Sequence, residues 1–307
     1  MEYKNYLEND GYVIIDGFID NQEIDKLRQA ANDAINLTRT HNWPYRRVVG
    51  KQFPPWTDED SPDSWGVQHL MHPDLKMPIF RQFYASDKLV ELAANLVGCS
   101  PEYLQMELFN MLILPTRSSF NLSWHRDHVL HSADEQEERD ALTTPHYGVQ
   151  FNAALYDDSC LWIVPKSHKM VRSPAQRALS CETKPADNPA EMPGAIQVHL
   201  KAGQILFYDA NILHCAQVGD QSVKLVTLTI LQYPCTPPSP PRATLHGSYG
   251  DLRGGSHRAI GVLQHGLEWM KDPSFGDGPG HEMWEKLMAM YNQAKADDKL
   301  GKYSLNG

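Results

Sequence analysis

Two residues with metal-binding side chains, His125 and Asp127, lie two positions apart in the stretch Asn121 to His128. We interpret this stretch as a β-strand, on which alternate side chains face the same side. His125 and Asp127 are therefore expected to point together toward one site, with Arg126 and His128 facing away. An imidazole and a carboxylate in this arrangement would supply half of a metal site.

A third ligand has to come from a distant part of the chain, and His214 is the candidate. It lies in the apolar run Ile205 to Val218, 87 residues after Asp127. That spacing excludes a compact zinc-finger knuckle and requires a folded barrel to bring the ligands together. Two histidines and one carboxylate with open coordination positions are typical of non-haem Fe(II) oxygenases. Taken alone, His214 would be interpreted more readily as a hydrogen-bonded core histidine, but its position at the start of a strand after the break at Asp209-Ala210-Asn211 favours a ligand.

The His-x-Asp spacing is a weak motif, because the chain contains 14 histidines. A second copy, His72-Pro73-Asp74, has the same spacing. Its central proline cannot donate to a sheet ladder, and the surrounding residues are typical of loops. The sequence therefore favours His125 and Asp127 over the second tripeptide.

The bulk composition favours a protein that acts on small molecules. The 307 residues are 41% apolar, enough for one large domain, and a net charge of −10 disfavours nucleic acid as a partner. Five scattered cysteines without a CxxC spacing argue against disulfides or a zinc site and fit a reducing compartment. No signal-peptide pattern or bilayer-spanning apolar run is present, so we expect a soluble, cytoplasmic protein without a membrane partner.

Helical patterns flank a β-rich centre. Asp20 and Glu23 form a capping box before an amphipathic helix, and a second helix runs from Ser86 to Gly98. About eight strand-like runs then predict a double-sheet jelly roll. These runs are Leu104 to Leu114, Leu122 to Val129, Tyr147 to Tyr156, Leu161 to Val164, Ile196 to Leu200, Ile205 to Tyr208, Ile212 to Val218 and Val223 to Tyr233.

We expect one domain, made of an N-terminal region (1–100), a jelly-roll core (about 104–233) and a C-terminal loop and helix (234–307). The segment from His41 to Phe80 is rich in Trp, Pro and Arg and is predicted to form long ordered loops. The acidic stretch Asp134 to Asp140 is interpreted as a loop with a solvated face.

Four segments in this order resemble the phytanoyl-CoA dioxygenase family of Fe(II)/2-oxoglutarate oxygenases, over most of the chain. The segments are Glu8-Asn9-Asp10-Gly11-Tyr12-Val13-Ile14-Ile15, Trp124-His125-Arg126-Asp127, Leu161-Trp162-Ile163-Val164-Pro165-Lys166-Ser167-His168-Lys169, and Ala202-Gly203-Gln204-Ile205-Leu206-Phe207 leading to Leu213-His214. The resemblance implies a mainly β, cupin-like double-stranded β-helix with flanking helices. It also implies Fe(II) held by His125, Asp127 and His214, with 2-oxoglutarate as co-substrate and O₂.

The resemblance further implies a basic residue on the strand after the distal histidine, where it pairs with the far carboxylate of 2-oxoglutarate. Lys224 occupies that place instead of the usual arginine, and its ammonium lacks the bidentate fork of a guanidinium. Arg117 and Arg172 are alternatives, and Lys224 could instead face water at a strand edge. Gln150 and Asn152 share one strand face, where they would line the 2-oxoglutarate pocket or face solvent.

The activity implied is a dioxygenase that oxidises a small organic substrate by hydroxylation, desaturation or ring chemistry, releasing succinate and CO₂. A natural-product intermediate of secondary metabolism is one candidate substrate. The segment holding Arg46, Arg47, Trp65, Gln68 and His69 lies where related enzymes recognise substrate. Two alternatives are a non-catalytic ligand- or metal-binding family member and a cupin-like metal enzyme that does not use 2-oxoglutarate. Monomer and homodimer are both open.

Overall fold

Eleven described strands form two antiparallel sheets. The computed structural model describes residues 2–53, 56, 61–118, 120–182, 184–218, 241–264 and 267–297. The strands are β1 (Tyr12–Ile15), β2 (Arg46–Val48), β3 (Ser64–Val67), β4 (Leu104–Ile113), β5 (Phe120–Asn121), β6 (Gly148–Ala154), β7 (Leu161–Val164), β8 (Ile196–Gln197), β9 (Ile205–Tyr208), β10 (Leu213–Val218) and β11 (Ala243–Asp251). The larger sheet has the order β1-β9-β6-β11-β4-β3-β2, and the smaller one has the order β5-β10-β7-β8.

Nine described helices flank the two sheets. They are α1 (Glu2–Asp10), α2 (Asn21–Arg39), α3 (Pro78–Tyr84), α4 (Asp87–Val97), α5 (Glu135–Thr143), α6 (Pro174–Ser180), α7 (Gly255–Gln264), α8 (Pro273–Gly276) and α9 (His281–Ala296). Side chains from α2, α3, α4 and α9 form the main apolar core with those on the outer face of β4, β6, β9 and β11. None of the helices described is both long and apolar enough to cross a bilayer.

Side-chain alternation on β6 separates this core from the space between the sheets. Val149, Phe151 and Ala153 are buried in the helix-covered core, whereas Gln150 and Asn152 project from the other face. A smaller apolar cluster, with Leu206 from β9 and Ile163 from β7 among its members, joins the two sheets between their inner faces. The polar inner face beyond this cluster is where the candidate site lies.

The predicted jelly-roll fold is confirmed, and so are several local signals. Asp20 caps α2 by accepting hydrogen bonds from the backbone N–H groups of Gln22 (2.8 Å) and Glu23 (2.9 Å). Gly98 ends α4 in the left-handed region, at φ 80°, which glycine adopts without a Cβ penalty. The hydroxyl of Ser86 donates to the carbonyl of Phe83 instead of capping α4.

Three predicted segments differ from the structure. The stretch from Leu122 to Val129 is not a continuous strand, because β5 ends at Asn121 and only His125 forms a further bridge. The region His41 to Phe80 contains β2 and β3, which extend the large sheet. The region after residue 241, expected to be a loop, contains β11. The strand expected from Val223 to Tyr233 lies outside the described residues.

β11 was missed because its glycines lower strand propensity. A Cβ at Gly247 would lie 2.7 Å from the ring of Phe151, so close packing between β11 and β6 requires glycine there. The strand pairs with β6 on one side and with β4 on the other, and thus completes the middle of the large sheet.

The acidic stretch Asp134 to Asp140 is helical, so its interpretation as a loop was wrong, whereas its solvated face is confirmed for every residue except Glu138. Most of it lies in α5, and the side chain of Glu138 is fully buried. The Glu138 carboxylate forms ion pairs with Arg126, Arg172 and Arg177, with nitrogen–oxygen distances of 3.3, 3.1 and 2.5 Å, respectively. Arg126, expected to face away from the metal-binding side, is itself buried, with 5% of its surface exposed.

Replacing Glu138 with glutamine should destabilise the protein strongly. The change leaves two fully buried guanidinium groups without their carboxylate, and breaking such a pair typically costs about 3–5 kcal/mol. Urea denaturation followed by circular dichroism measures the free energy of unfolding.

The control is Glu135→Gln, the same substitution on the same helix. Glu135 is 71% exposed and pairs only with Arg139 one turn away, a contact that contributes about 0.5 kcal/mol or less. An equal decrease in the free energy of unfolding for the two variants would contradict a structural role of the buried Glu138 carboxylate.

Candidate iron site

The backbone itself brings His125 and His214 together. The N–H of His125 donates to the carbonyl of His214 (2.9 Å), and the N–H of His214 donates to the carbonyl of His125 (3.0 Å). The imidazole centroids are 4.1 Å apart. With Asp127, one ligand atom from each of the three residues lies within 4.8 Å of the others, a separation that one metal ion can bridge. The described residues contain no other such group of three or more.

Both histidines turn Nδ1 toward a backbone carbonyl, which leaves Nε2 for a metal. His125 Nδ1 lies 2.9 Å from the carbonyl of Ser123, and His214 Nδ1 lies 2.8 Å from the carbonyl of Ile212. A proton on Nδ1 satisfies each carbonyl and leaves the lone pair of Nε2 for a metal. The donor set therefore fits Fe(II), which accepts two imidazoles and one carboxylate on one face.

The carboxylate of Asp127 is held from two directions. Its backbone N–H donates to the carbonyl of Ala210 (3.0 Å), which fixes the irregular segment after His125. Its side chain accepts a hydrogen bond from the amide of Gln150. The amide oxygen of Gln150 accepts in turn from the hydroxyl of Tyr208 (3.0 Å). Burial raises the pKa of Tyr208, so its hydroxyl stays protonated and remains a donor.

The charge states of His125 and Asp127 suit metal binding. Burial and the neighbouring His214 lower the pKa of His125 to about 3, which keeps its imidazole neutral. Burial alone would raise the pKa of the Asp127 carboxyl, but His214 and His125 outweigh that effect and lower it. A neutral imidazole and an ionised carboxylate are the forms that bind a metal.

Gln52, His246 and Tyr208 were missed in the sequence. The amide oxygen of Gln52 accepts from the N–H and the hydroxyl of Ser123, each at 2.7 Å, and its nitrogen lies 3.1 Å from His125 Nδ1. His246, on the inner face of β11, lies 2.9 Å from the amide oxygen of Asn152. These polar residues belong to no recognisable sequence motif, so their partners are known only from the fold.

The residues predicted to bind 2-oxoglutarate have different environments. Gln150 and Asn152 face the site and contact Asp127 and His246, respectively. Lys224 lies outside the described residues. Arg172 is committed to Glu138, and Arg117 is exposed on the loop after β4.

Arg242 is a further basic residue next to the barrel. It immediately precedes β11, the described barrel strand that follows β10. Its Nε pairs with Asp158 at 2.8 Å, and within the described ranges its buried Nη1 has no hydrogen-bond partner.

The fold and the His-Asp-His cluster define a double-stranded β-helix of the cupin-like type used by 2-oxoglutarate oxygenases. The family model described as phytanoyl-CoA dioxygenase (PhyH) matches residues 7–218. The chain belongs to this family, and the resemblance seen in the sequence is confirmed.

Solved structures with the same fold are distant in sequence. One is EctD from S. alaskensis with 2-oxoglutarate and 5-hydroxyectoine, at a TM-score of 0.54 and 16% identity, covering 83% of this chain and 77% of that one. Another is HygX from Streptomyces hygroscopicus with nickel and 2-oxoglutarate, at 0.54 and 15%, covering 81% and 86%. A third is the non-haem α-ketoglutarate-dependent epimerase SnoN from nogalamycin biosynthesis, at 0.50 and 18%, covering 81% of both chains. No curated protein matches the sequence.

Replacing Gln150 with leucine should weaken metal binding by about tenfold. Residues that orient a metal ligand typically contribute about 10- to 100-fold to affinity, and Gln150 is the described side chain that hydrogen-bonds to the Asp127 carboxylate. Titration with Mn(II), followed by electron paramagnetic resonance, measures the dissociation constant.

The control is Gln197→Leu, because the Gln197 amide donates to the carbonyl of Ser159 outside the candidate site. Unchanged Mn(II) affinity in Gln150→Leu would show that the Asp127 carboxylate needs no support from β6.

Proposed function

We propose that this protein is an Fe(II)- and 2-oxoglutarate-dependent oxygenase that oxidises a C–H bond of a small organic molecule. The observation that carries the proposal is the convergence of His125, Asp127 and His214, whose ligand atoms lie within 4.8 Å of one another. Membership of the phytanoyl-CoA dioxygenase family supports the same chemistry. EctD and HygX, which share the fold, were crystallised with 2-oxoglutarate.

The bound iron, with 2-oxoglutarate and O₂, would supply the oxidising power, and succinate and CO₂ would be the co-products. The chain's own residues hold and orient this chemistry. His125, Asp127 and His214 would occupy one face of the iron and leave the opposite face for co-substrate and oxygen. Gln150 and Tyr208 fix the carboxylate, and the apolar cluster between the sheets restricts water behind the site.

The far carboxylate of 2-oxoglutarate needs a basic partner. Lys224 is our candidate, on the family resemblance. Arg242 is the second candidate, because it precedes the barrel strand β11 and carries an Nη1 that no described residue satisfies. Arg242 is already neutralised by Asp158, so a further carboxylate gains less from it than from an unpaired cation.

Replacing Asp127 with alanine should abolish the visible absorption band that forms when 2-oxoglutarate is added to the Fe(II)-loaded protein without oxygen. The change removes the anionic ligand and leaves only two imidazoles on the iron. It should also abolish the release of CO₂ from 2-oxoglutarate in air.

The control for Asp127→Ala is Asp74→Ala, the same change in the rival tripeptide His72-Pro73-Asp74. Asp74 has an 85% exposed side chain and should behave as wild type. Loss of the band in Asp74→Ala but not in Asp127→Ala would move the metal site to the second tripeptide.

Replacing Lys224 with alanine should raise the 2-oxoglutarate concentration that gives half of the maximal absorbance of this band by about tenfold or more. A hydrogen bond to a charged group typically contributes about 1.5–3 kcal/mol, equivalent to at least tenfold in affinity. Arg242→Lys, which retains a cation beside Asp158, should change that concentration much less. The reverse pattern would transfer the role to Arg242.

A further inference from the structure

A pocket on the large sheet contains an unusual cation. Residues from β2, β4, the segments before and after β3 and the C-terminal region line the pocket, including Arg47, Trp56, Gln68, Leu108, Asn110 and Leu267. The charge of Arg47 acts on Asp127 and Tyr208 of the candidate iron site and on His246. Asn110 of the pocket is paired with His246 across β4 and β11, and His246 contacts Asn152 on the face that carries Gln150, so the pocket adjoins the candidate site.

Arg47 is held firmly but is not neutralised. Its guanidinium packs over the rings of Trp65 and Trp56, with its central carbon 5.0 and 5.6 Å from their centroids. Within the described ranges it has no ion pair or hydrogen bond, and its Nε is buried without a partner. By contrast, Arg172 and Arg242 each pair with a buried carboxylate.

Arg47 is partly exposed, but its buried Nε has no acceptor within the described residues, and leaving such a donor unpaired is energetically costly. Burial lowers the pKa of Arg47 to about 10, which still leaves the side chain charged at neutral pH. An anion entering the pocket would remove the cost, and the guanidinium fork matches a carboxylate in geometry. Around this cation, Gln68 and Asn110 offer amide groups, whereas Leu108 and Leu267 offer apolar surface.

The position of β2 favours the organic substrate, and not 2-oxoglutarate, as the molecule whose carboxylate would bind Arg47. In the large sheet β2 lies three strands from β11, a separation of roughly 14 Å at about 4.8 Å per strand. Both candidate partners of the co-substrate, Lys224 and Arg242, belong to the chain between β10 and β11. Arg47 lies on the edge strand β2, whereas Arg242 precedes the central strand β11.

We infer that Arg47 binds a carboxylate of the organic substrate, and that the substrate is a small carboxylic acid with an apolar body. This inference rests on the proposed function, because it names the class of molecule presented to the iron. Arg47 is a substrate-binding residue in this assignment. The indole rings of Trp56 and Trp65 fix the direction of its guanidinium.

The test uses phenylacetate and its neutral analogue phenylacetamide as probes of the Fe(II)- and 2-oxoglutarate-loaded protein without oxygen. Isothermal titration calorimetry gives the affinity of each probe, and the visible band reports 2-oxoglutarate in the same samples. Wild type should bind phenylacetate at least tenfold more tightly than phenylacetamide. Arg47→Gln should lose this preference while its affinity for 2-oxoglutarate stays within about twofold of wild type.

Two further variants separate charge from fold. Arg47→Lys keeps the charge without the fork and should retain part of the preference for phenylacetate. Arg139→Gln, on the exposed face of α5, should match wild type throughout. Thermal unfolding of each variant checks that the fold is intact. If Arg47→Gln does not fold, the inference is tested by Arg47→Lys, which should show a reduced preference for phenylacetate.

Several outcomes would overturn the inference. They are equal or undetectable binding of the two probes in wild type, a preference that survives in Arg47→Gln, and bleaching of the band by phenylacetate. A tenfold loss of 2-oxoglutarate affinity in Arg47→Gln would instead assign Arg47 to the co-substrate. If wild type shows no band but keeps an Arg47-dependent preference for phenylacetate, the carboxylate site stands and the proposed function fails.

Discussion

The candidate site depends on one pair of backbone hydrogen bonds, those exchanged by His125 and His214. This bridge sets the distance between two imidazoles that are 89 residues apart in the chain. Because each imidazole is oriented by a carbonyl two residues earlier on its own segment, the backbone fixes both position and tautomer. A metal site built in this way needs little from other side chains except support for the third ligand. Asp127 obtains that support from Gln150.

The segment that carries His125 and Asp127 is irregular, so other interactions have to replace the missing sheet ladder. Arg126, between the two ligands, donates to the carbonyls of Ser167 (2.6 Å) and Met170 (2.8 Å) and pairs with Glu138. These bonds satisfy backbone groups that would otherwise be buried without partners. The acidic helix α5 thus stabilises the metal-binding segment from behind, which explains why a carboxylate is tolerated in full burial.

The sequence predicted the parts of the molecule that depend on local pattern. Strands β7 and β9 were predicted with their observed ends, because short β-branched or aromatic runs lie between turn residues. The three candidate ligands were selected by residue type and spacing, and the structure brings them together. Burial of Glu138 and Arg126 was not predictable, since a charged residue on a helix or strand shows no local sign of a distant partner. β11 was missed for a related reason, because its glycines are explained only by contact with Phe151.

The metal ligands and the proposed substrate pocket come from different parts of the large sheet and its partner. His125 and His214 belong to the smaller sheet and its margin, whereas Arg47 lies on β2, at the edge of the larger sheet and beyond the barrel strands. The sequence of edge strands and of the segments between them can change without disturbing the backbone bridge between His125 and His214 that sets the ligand geometry. The substrate of this protein is therefore better inferred from Arg47 and its two tryptophans than from the ligand triad, which specifies only the metal.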